Sequence, residues 1–392
     1  MKEICIIGGG AAGLAAAITA AKNGKKVTII EKMDKCGKKI LITGNGKCNY
    51  YNEDQNIQKY HSNNPELISK IITEENLSKV NNFFDSLGII PIIKNGYYYP
   101  YSKTAITIHN ALLYEVKKLN IEIIYNVAVE KIIKKDCFII NPNKENIKAK
   151  KIIITTGSKA APKTGSDGSG YDLAMNLGHK IIKIKPSLVC LKGKENYLKT
   201  WSGVRTEAKI SLHKNNKLIE ETGELQLTDQ GLSGIVTFNL SNYITKGDKV
   251  KINFLPFVKE DRKKWIKKIM KLQYPINESL ERILNYKLVN VIIKKSKLKT
   301  NNFNKLSNNE LNNLLNNLFE FEFKITELGS FEKAQVCKGG IPLTEINLNT
   351  FESIIVKDLY FAGEIIDING DCGGYNLTFA WLSGIKAGEN IW

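Results

Sequence analysis

The chain is poor in arginine although it is strongly basic. Only Arg205, Arg262 and Arg282 are arginines among the 57 basic residues, and the formal net charge is +18. Surfaces dedicated to nucleic acid usually use arginine, because its planar guanidinium grips phosphates and base edges at two points. The composition therefore favours a general lysine coat that attracts anionic ligands, with no specific nucleic-acid partner. An enzyme that acts on nucleic acid is the main alternative, since the excess of positive charge favours it.

The sequence also lacks the cysteine and histidine spacings that hold metals or disulfides. Its seven cysteines are dispersed and odd in number, and no Cys-x-x-Cys occurs. None of its four histidines forms a metal-ligand spacing with another histidine or a cysteine. This pattern predicts reduced thiols and no metal site.

Long hydrophobic runs are scarce. Residues 4–21 are almost uncharged, but the glycine cluster within them argues against a membrane helix. The start at Met1, Lys2 and Glu3 is not the basic region of a signal peptide. No other stretch is long and apolar enough to span a bilayer, so a cytoplasmic location without a membrane partner is expected.

A nucleotide-binding signature occupies residues 4–31. An apolar run, an alanine-rich helix and a second apolar run follow one another, and the first turn reads Gly-x-Gly-x-x-Gly at Gly8, Gly10 and Gly13. These glycines permit the turn, the approach of a pyrophosphate to the backbone, and close helix–strand packing, respectively. Glu31 lies 18 positions after Gly13 and can accept hydrogen bonds from an adenosine ribose. An ordinary turn rich in small residues would leave Glu31 and the triple glycine unexplained, so the signature predicts dinucleotide binding.

The pattern changes in the middle of the chain and then returns. Residues 191–255 show short alternating segments typical of an antiparallel barrel or sandwich. The expected strands there are Ala208–His213, Leu218–Glu221, Gly223–Thr228, Val236–Phe238 and Val250–Phe254. Residues 259–323 carry apolar positions at helical spacing. Residues 358–364 read as a buried strand that ends in Gly-Glu, and residues 371–377 as a second glycine-rich helix start, which indicates one nucleotide domain with an insertion.

Four blocks of sequence resemble those of one known family. They are residues 42–49 (ITGNGKCN), 155–178, 338–341 and 360–377. Together they resemble the YhiN/BaiN-like NAD(P)/FAD-dependent oxidoreductases of bacteria and archaea. Some members are described as aminoacetone oxidases and others as bile-acid 3-oxo-Δ4 reductases. The resemblance covers essentially the whole chain.

The resemblance implies an α/β fold class with three parts. A split Rossmann-like FAD-binding domain would comprise residues 1–190 and 331–392. An inserted β-barrel-like domain would comprise residues 191–255 and be closed by part of 324–340, and a small helical domain would comprise residues 256–323.

The resemblance also implies a set of FAD-binding positions. It places Glu31 on the adenosine ribose, Glu364 on the ribityl chain, and the helix start at Gly374 beside the flavin pyrimidine. Val129, in the strand that leads to Ile132, corresponds to the backbone contact with adenine. The expected set is Gly8, Gly10, Ala11, Ala12, Gly13, Glu31, Lys32, Lys39, Thr43, Gly44, Asn45, Gly46, Cys48, Val129, Thr156, Gly157, Gly363, Glu364, Gly374, Tyr375, Asn376 and Leu377.

The predicted function is that of an oxidoreductase with non-covalent FAD. A hydride would pass between flavin N5 and a small carbonyl, enone or amine substrate. NAD(P)H is a possible electron donor. It would bind transiently, because no second Rossmann unit is visible for it. The alternatives are a flavoprotein that acts on nucleic acid, such as a tRNA modifier, and a non-catalytic flavin-binding scaffold. The resemblance transfers no catalytic residue, and Cys48 is interpreted as a small buried residue in preference to a nucleophile.

Overall fold

The computed structural model of the chain describes residues 1–141 and 144–392. Its strands are β1 (Lys2–Ile7), β2 (Val27–Ile30), β3 (Tyr51–Asn52), β4 (Tyr60–His61), β5 (Pro91–Lys94), β6 (Tyr97–Pro100), β7 (Glu122–Ile124), β8 (Ile132–Lys134), β9 (Phe138–Ile140), β10 (Ile147–Ile154), β11 (Ile182–Ser187), β12 (Leu191–Lys192), β13 (Arg205–Lys214), β14 (Lys217–Leu227), β15 (Gly231–Ser233), β16 (Lys249–Asn253), β17 (Phe321–Lys324), β18 (Glu327–Leu328), β19 (Val336–Gly340), β20 (Leu359–Phe361) and β21 (Asn369–Gly370). Its α-helices are α1 (Ala11–Lys22), α2 (Lys38–Ile42), α3 (Ile68–Ile71), α4 (Glu74–Ser86), α5 (Ala105–Lys118), α6 (Ser169–Asn176), α7 (Leu198–Trp201), α8 (Ile235–Leu240), α9 (Arg262–Met270), α10 (Ile276–Glu281), α11 (Tyr286–Ser296), α12 (Asn308–Phe319) and α13 (Tyr375–Asn390).

The chain forms two compact units. The first comprises Met1–Pro186 and Phe331–Trp392, and the second comprises Ser187–Ser330. Within the part of the chain that the structure describes, no helix combines the length and apolar character needed to cross a membrane.

The first unit is built on a largely parallel sheet. Its parallel strands run in the order β7-β2-β1-β10-β20, and the hairpin of β9 and β8 joins the first half of β10 in antiparallel pairing. Strands β2 and β20 are buried along their whole length, which suits the continuous apolar runs seen in their sequences. This arrangement confirms the predicted Rossmann-type α/β fold class.

Two helices from opposite ends of the chain pack against each other in this unit. A Cβ on Gly384 of α13 would lie 2.3 Å from the carbonyl oxygen of Ala12, and one on Gly388 would lie 2.5 Å from that of Ala16. The backbones of α1 and α13 therefore touch, which only glycine at these α13 positions permits. This contact holds the C-terminal helix against the first helix of the nucleotide signature.

The second unit contains a sheet that closes on itself. Its strand order is β17-β16-β13-β14-β15-β12-β18, and the two edge strands are consecutive in the chain. Between them, Ile325 N–H donates to the carbonyl of Asp248 and Thr326 N–H donates to the carbonyl of Lys192, both at 2.9 Å. The segment of residues 321–328 thus supplies both edge strands and pairs with β16 on one side and β12 on the other, as a barrel-like sheet requires.

The predicted strand Val236–Phe238 is wrong, because these residues lie in helix α8. The preceding Gly234 has φ +97° and breaks the extended chain, and the Oγ1 of Thr237 donates to the carbonyl of Ser233 at 3.1 Å. The β-branched residues that suggested a strand are buried beneath the sheet as part of a helix.

The helices of the second unit share a core with its barrel-like sheet. One cluster of buried side chains includes Leu212 of β13, Leu288 of α11, Leu315 of α12 and Phe321 of β17. Where the sequence suggested separate barrel-like and helical domains, the structure has one compact unit with a common core.

Candidate functional site

The expected cofactor residues gather at one edge of the main sheet. The glycine turn follows β1, Glu31 follows β2, Thr155–Gly157 follows β10, and Gly363 and Glu364 follow β20. The carboxyl ends of parallel strands meet at the same edge, where α/β proteins bind their ligands. Chain topology therefore brings together residues that are more than 300 positions apart in sequence.

The turn after β1 uses its glycines for different purposes. Gly8 has φ +105°, a conformation that favours glycine. A Cβ on Gly13 would lie 2.0 Å from the carbonyl oxygen of Gly8, and one on Gly9 would lie 2.2 Å from Sγ of Cys36. By contrast, a Cβ on Gly10 would meet no atom of the described residues within 4 Å. Gly10 is thus the glycine of this turn that borders open space.

Helix α1 begins directly at this open position. Gly10 is its N-cap residue, and no side chain in residues 1–141 and 144–392 caps the helix. The first backbone N–H groups of an uncapped helix have no intrahelical partner and carry the positive end of the helix dipole. The start of α1, with Ala11 and Ala12 in its first turn, is therefore suited to bind phosphate.

Glu31 supports the same turn from the adjacent strand. Its side chain is buried, and Oε2 accepts the N–H of Gly9 at 2.7 Å while Oε1 accepts the N–H of Met33 at 2.8 Å. An ionised carboxylate has about four lone-pair positions, so positions remain for the hydroxyl groups of a ligand. Glu31 thus both fixes the glycine turn and offers an acceptor beside it.

A second loop meets the residue that follows Glu31. Lys32 Nζ lies 2.7 Å from Oδ2 of Asp167, which belongs to the family-like block of residues 155–178. Burial favours the neutral form of Asp167, but the bonds from Lys32 and Ser169 outweigh it and hold the pKa of this carboxyl below its usual range. This block therefore forms part of the same edge.

Val129 lies before strand β8, not within it, because β8 begins at Ile132. Its segment is held by the side chain of Asn141, which accepts the N–H of Glu130 at 2.8 Å and donates to the carbonyl of Ala128 at 2.7 Å. Both bonds are made by residues next to Val129, so a single amide fixes the backbone at the predicted adenine contact.

The carboxylate of Glu364 belongs to a small polar cluster. Its Oε2 lies 2.7 Å from Nζ of Lys39 and accepts the Oγ–H of Ser158 at 3.0 Å. The hydroxyl of Tyr171 donates to the main-chain carbonyl of Glu364 at 3.4 Å. Lys39 and Glu364, both predicted site residues, are therefore direct partners in the fold.

The loop of residues 43–48 has an unusual backbone. Gly44 and Asn45 both have φ +55°, and Cys48 has φ +56° although it is not glycine. The N–H of Cys48 donates to the carbonyl of Thr43 at 3.1 Å, which closes the loop. Burial raises the pKa of the Cys48 thiol to about 12, so it is a neutral thiol near neutral pH.

The second glycine-rich helix start is crowded. Gly374 is the N-cap of α13 with φ +96°, and no side chain caps this helix. A Cβ on Gly374 would lie 3.0 Å from the carbonyl oxygen of Tyr51. The amide of Asn376 accepts the N–H of Gly370 at 2.7 Å and donates to the carbonyl of the same residue at 2.8 Å. The Asn376 side chain therefore holds the loop before α13.

Sequence reasoning missed several residues that shape the site. Asn141 stands outside every motif, and Ser158 lies in the 155–178 block without being among the expected site residues; the fold brings them to Val129 and Glu364, respectively. Asn49 closes the recognised ITGNGKCN block, and its buried Oδ1 has no hydrogen-bond partner among the described residues. The positions of Asn49 and Ser158 within recognised blocks were the available signals.

The fold and the site together define a Rossmann-type flavoprotein oxidoreductase. The chain belongs to the family described as HI0933-like protein Rossmann domain, which matches residues 2–390. This is the YhiN/BaiN family, so the predicted family and the prediction of an FAD-dependent oxidoreductase are confirmed.

Similar proteins span the whole chain. A 3-dehydro-bile acid delta(4,6)-reductase of Clostridium scindens is 36% identical, over 99% of this chain and 98% of the relative. A ribosomal RNA dihydrouridine synthase of Haemophilus influenzae is 28% identical, over 100% of this chain and 98% of the relative.

Solved structures share the fold at low identity. A flavocytochrome c3 fumarate reductase in an open conformation has a TM-score of 0.52 at 14% identity, over 100% of this chain and 78% of that chain. A 3-ketosteroid-delta4-(5alpha)-dehydrogenase of Rhodococcus jostii RHA1 has a TM-score of 0.52 at 13% identity, over 99% of this chain and 96% of that chain.

The residues at the sheet edge fit FAD. The space before Gly10 and the uncapped start of α1 suit a pyrophosphate, and Glu31 has lone pairs left for ribose hydroxyls. The buried Oγ1 of Thr156 has no hydrogen-bond partner among the described residues. A buried hydroxyl of this kind marks a place where a ligand group or a water completes the hydrogen bonding.

Proposed function

We propose that the protein is an FAD-dependent reductase that saturates a carbon–carbon double bond conjugated with a carbonyl group. The observation that carries this proposal is the chemistry common to its relatives. The name of the 3-dehydro-bile acid delta(4,6)-reductase describes a substrate whose double bonds at positions 4 and 6 are conjugated with a 3-oxo group. Dihydrouridine is uridine whose ring double bond, conjugated with a carbonyl, has been saturated. Similarity along the whole chain to both kinds of relative supports the same reaction here.

The part of the protein in this reaction would be to hold the cofactor and tune its charge. FAD supplies a hydride at N5 when it is bound. The uncapped start of α1 would bind the pyrophosphate, Glu31 the adenosine ribose, and Glu364, held by Lys39, the ribityl chain. The uncapped start of α13 would stabilise negative charge on the flavin ring, an effect of about 0.3–2 kcal/mol.

The expected electron donor is NAD(P)H, bound transiently. The sequence has one Gly-x-Gly-x-x-Gly turn with an acidic partner, and that turn is assigned to FAD. It therefore offers no second site of this kind for a resident nicotinamide cofactor. A donor that leaves after hydride transfer needs no such dedicated domain.

Two substrate classes fit the proposed reaction. A small-molecule enone is the first, and it is supported by the most similar of the relatives described above, at 36% identity. Uridine in RNA is the second, and a specific observation favours it: the formal net charge of +18 matches a polyanionic substrate.

An anaerobic turnover experiment tests the proposal. The purified flavoprotein would be titrated with NADH or NADPH until the flavin absorbance is lost, and then mixed with a 4-en-3-one steroid or with a uridine-containing RNA. We expect the flavin absorbance to return and one of these products to gain two hydrogens by mass spectrometry. The proposal would be overturned if oxygen reoxidised the flavin but no conjugated substrate did so or gave a product.

The matched control uses substrates without conjugation. A steroid with an isolated double bond and an RNA composed of dihydrouridine only should leave the reduced flavin unchanged, because neither can accept a hydride at a carbon activated by a carbonyl. Equal reaction of conjugated and isolated double bonds would contradict the proposed mechanism.

A further inference from the structure

Helix α9 carries a dense positive charge. Five of its nine residues are basic, Lys271 follows as its C-cap, and the one adjoining acidic cap is Asp261, whose Oδ1 accepts the N–H groups of Lys263 and Lys264. Trp265 and Ile266 are buried in the core of the second unit, whereas Lys263, Lys264 and Lys267 are exposed. The apolar side of this helix is thus used by the fold, and its cationic side is free.

Two basic residues of this helix are paired, and the others are not. Lys268 Nζ lies 2.6 Å from Oε1 of Glu260, and Arg262 Nη1 lies 2.9 Å from Oε1 of Glu320. Within residues 1–141 and 144–392, four exposed lysines form no ion pair. They are Lys263, Lys264, Lys267 and Lys271.

The arrangement of these lysines costs helix stability. Lys263 and Lys264 lie in the first turn, where the positive end of the helix dipole disfavours a cation. Lys263 and Lys267 are four positions apart, as are Lys267 and Lys271, and each such like-charge pair costs about 0.2–0.5 kcal/mol. A lysine coat placed only for solubility has no reason to concentrate at these positions.

An exposed aromatic residue follows the helix. Tyr274 is 44% exposed, and the guanidinium of Arg282 lies 4.2 Å from the centroid of its ring. Surfaces that bind single-stranded nucleic acid combine backbone-neutralising cations with aromatic faces on which bases stack. Membrane-surface helices instead expose a large apolar face, and the apolar face of α9 is buried in the protein core.

We propose that Lys263, Lys264, Lys267, Lys271 and Tyr274, called here the α9 surface, bind the backbone and bases of RNA. The inference deepens the uridine candidate and rests on the proposed function for its purpose. Charge complementarity selects the partner, because four unpaired cations meet a polymer with one negative charge per nucleotide.

The test measures RNA binding by the holoenzyme without any need for turnover. The probe is a fluorescein-labelled single-stranded RNA of 20 uridines, followed by anisotropy across a salt series. The variant Lys263→Ala/Lys264→Ala/Lys267→Ala should bind roughly 10- to 100-fold more weakly at low salt. Its slope of log affinity against log salt should be less steep by about 2, because roughly three phosphate contacts are lost.

A matched control removes equal charge from the same unit. Lys199, Lys217 and Lys324 are exposed and in no ion pair among the described residues, so Lys199→Ala/Lys217→Ala/Lys324→Ala has the same net charge as the test variant. The control should retain the wild-type salt slope. Equal weakening by both variants would overturn the proposal, because general charge would then explain the binding.

Thermal unfolding separates binding from a structural role. The α9 variant should melt at or above the wild-type temperature, because it removes cations from the helix start and like-charge pairs from its face. A lower melting temperature, or tighter binding to phosphatidylserine vesicles than to the RNA probe, would overturn the proposal. If no conjugated double bond is reduced while α9-dependent RNA binding persists, the proposed function fails and the α9 surface stands.

Discussion

The two glycine-rich helix starts of the first unit are alike in sequence and differ in their surroundings. Both α1 and α13 have glycine as N-cap and no capping side chain. Gly10 has φ −80° and open space where a Cβ would be, whereas Gly374 has φ +96° and a neighbouring carbonyl 3.0 Å from that point. Glycine thus leaves open space at the first helix and satisfies backbone geometry at the second, a distinction that the residue type alone does not make.

The largest effect is expected beside α1, at Glu31. Glu31→Ala removes a charged acceptor from the ribose position, a loss of about 1.5–3 kcal/mol, so the dissociation constant for FAD should rise roughly 10- to 150-fold. It also leaves the N–H groups of Gly9 and Met33 without their acceptor. Equilibrium titration of the apoprotein with FAD measures the change.

Glu66→Ala is a suitable control for this measurement, because Glu66 is an exposed carboxylate at the start of a short helical turn. It should leave FAD affinity unchanged. Wild-type affinity in Glu31→Ala would show that this carboxylate does not contact the cofactor.

A stability effect of about 1–3 kcal/mol is expected at α13. Gly374→Ala forces a side chain into a left-handed conformation and against the carbonyl of Tyr51. Urea unfolding of the flavin-free protein should show this loss, since the strain exists without the cofactor. An unchanged free energy of unfolding would remove the proposed contrast between the two helix starts.

The smallest effect is expected at Cys48. Burial raises the pKa of its thiol to about 12, and the proposed hydride transfer uses no thiol. The flavin bound to Cys48→Ser should therefore be reduced at a rate close to that of the wild type. Iodoacetamide at pH 8 should modify this thiol only after unfolding. A rate loss beyond about a hundredfold with FAD still bound is typical of a lost acid–base group and would contradict this interpretation.

The parts of the fold that local sequence specifies were predictable. The βαβ unit of residues 4–31 combines the glycine spacing, apolar strands and acidic residue that one short segment can display, and the structure places them as expected. Helix α8 was missed because its β-branched residues suit a buried strand as well as a buried helix, and Gly234 decides between the two.

The partners of the site residues were not predictable from spacing. Lys39 and Glu364 lie 325 positions apart, and Asn141 reaches the segment of Val129 only because β8 and β9 form a hairpin. The sequence also does not distinguish the glycines of the two helix starts, because their roles depend on their neighbours in space. Tertiary contacts of this kind carry no local signal.

The most direct test of the central claim is a single substitution, Gly10→Ala, followed by two measurements. The residue has an ordinary φ of −80° and no neighbour within 4 Å of the added carbon, so urea unfolding of the flavin-free protein should change by less than about 0.5 kcal/mol. Titration with FAD should show an affinity at least about tenfold weaker, a loss of about 1.4 kcal/mol, because the methyl group occupies the space reserved for the pyrophosphate. Unchanged FAD affinity would contradict the claim that the open start of α1 binds the cofactor.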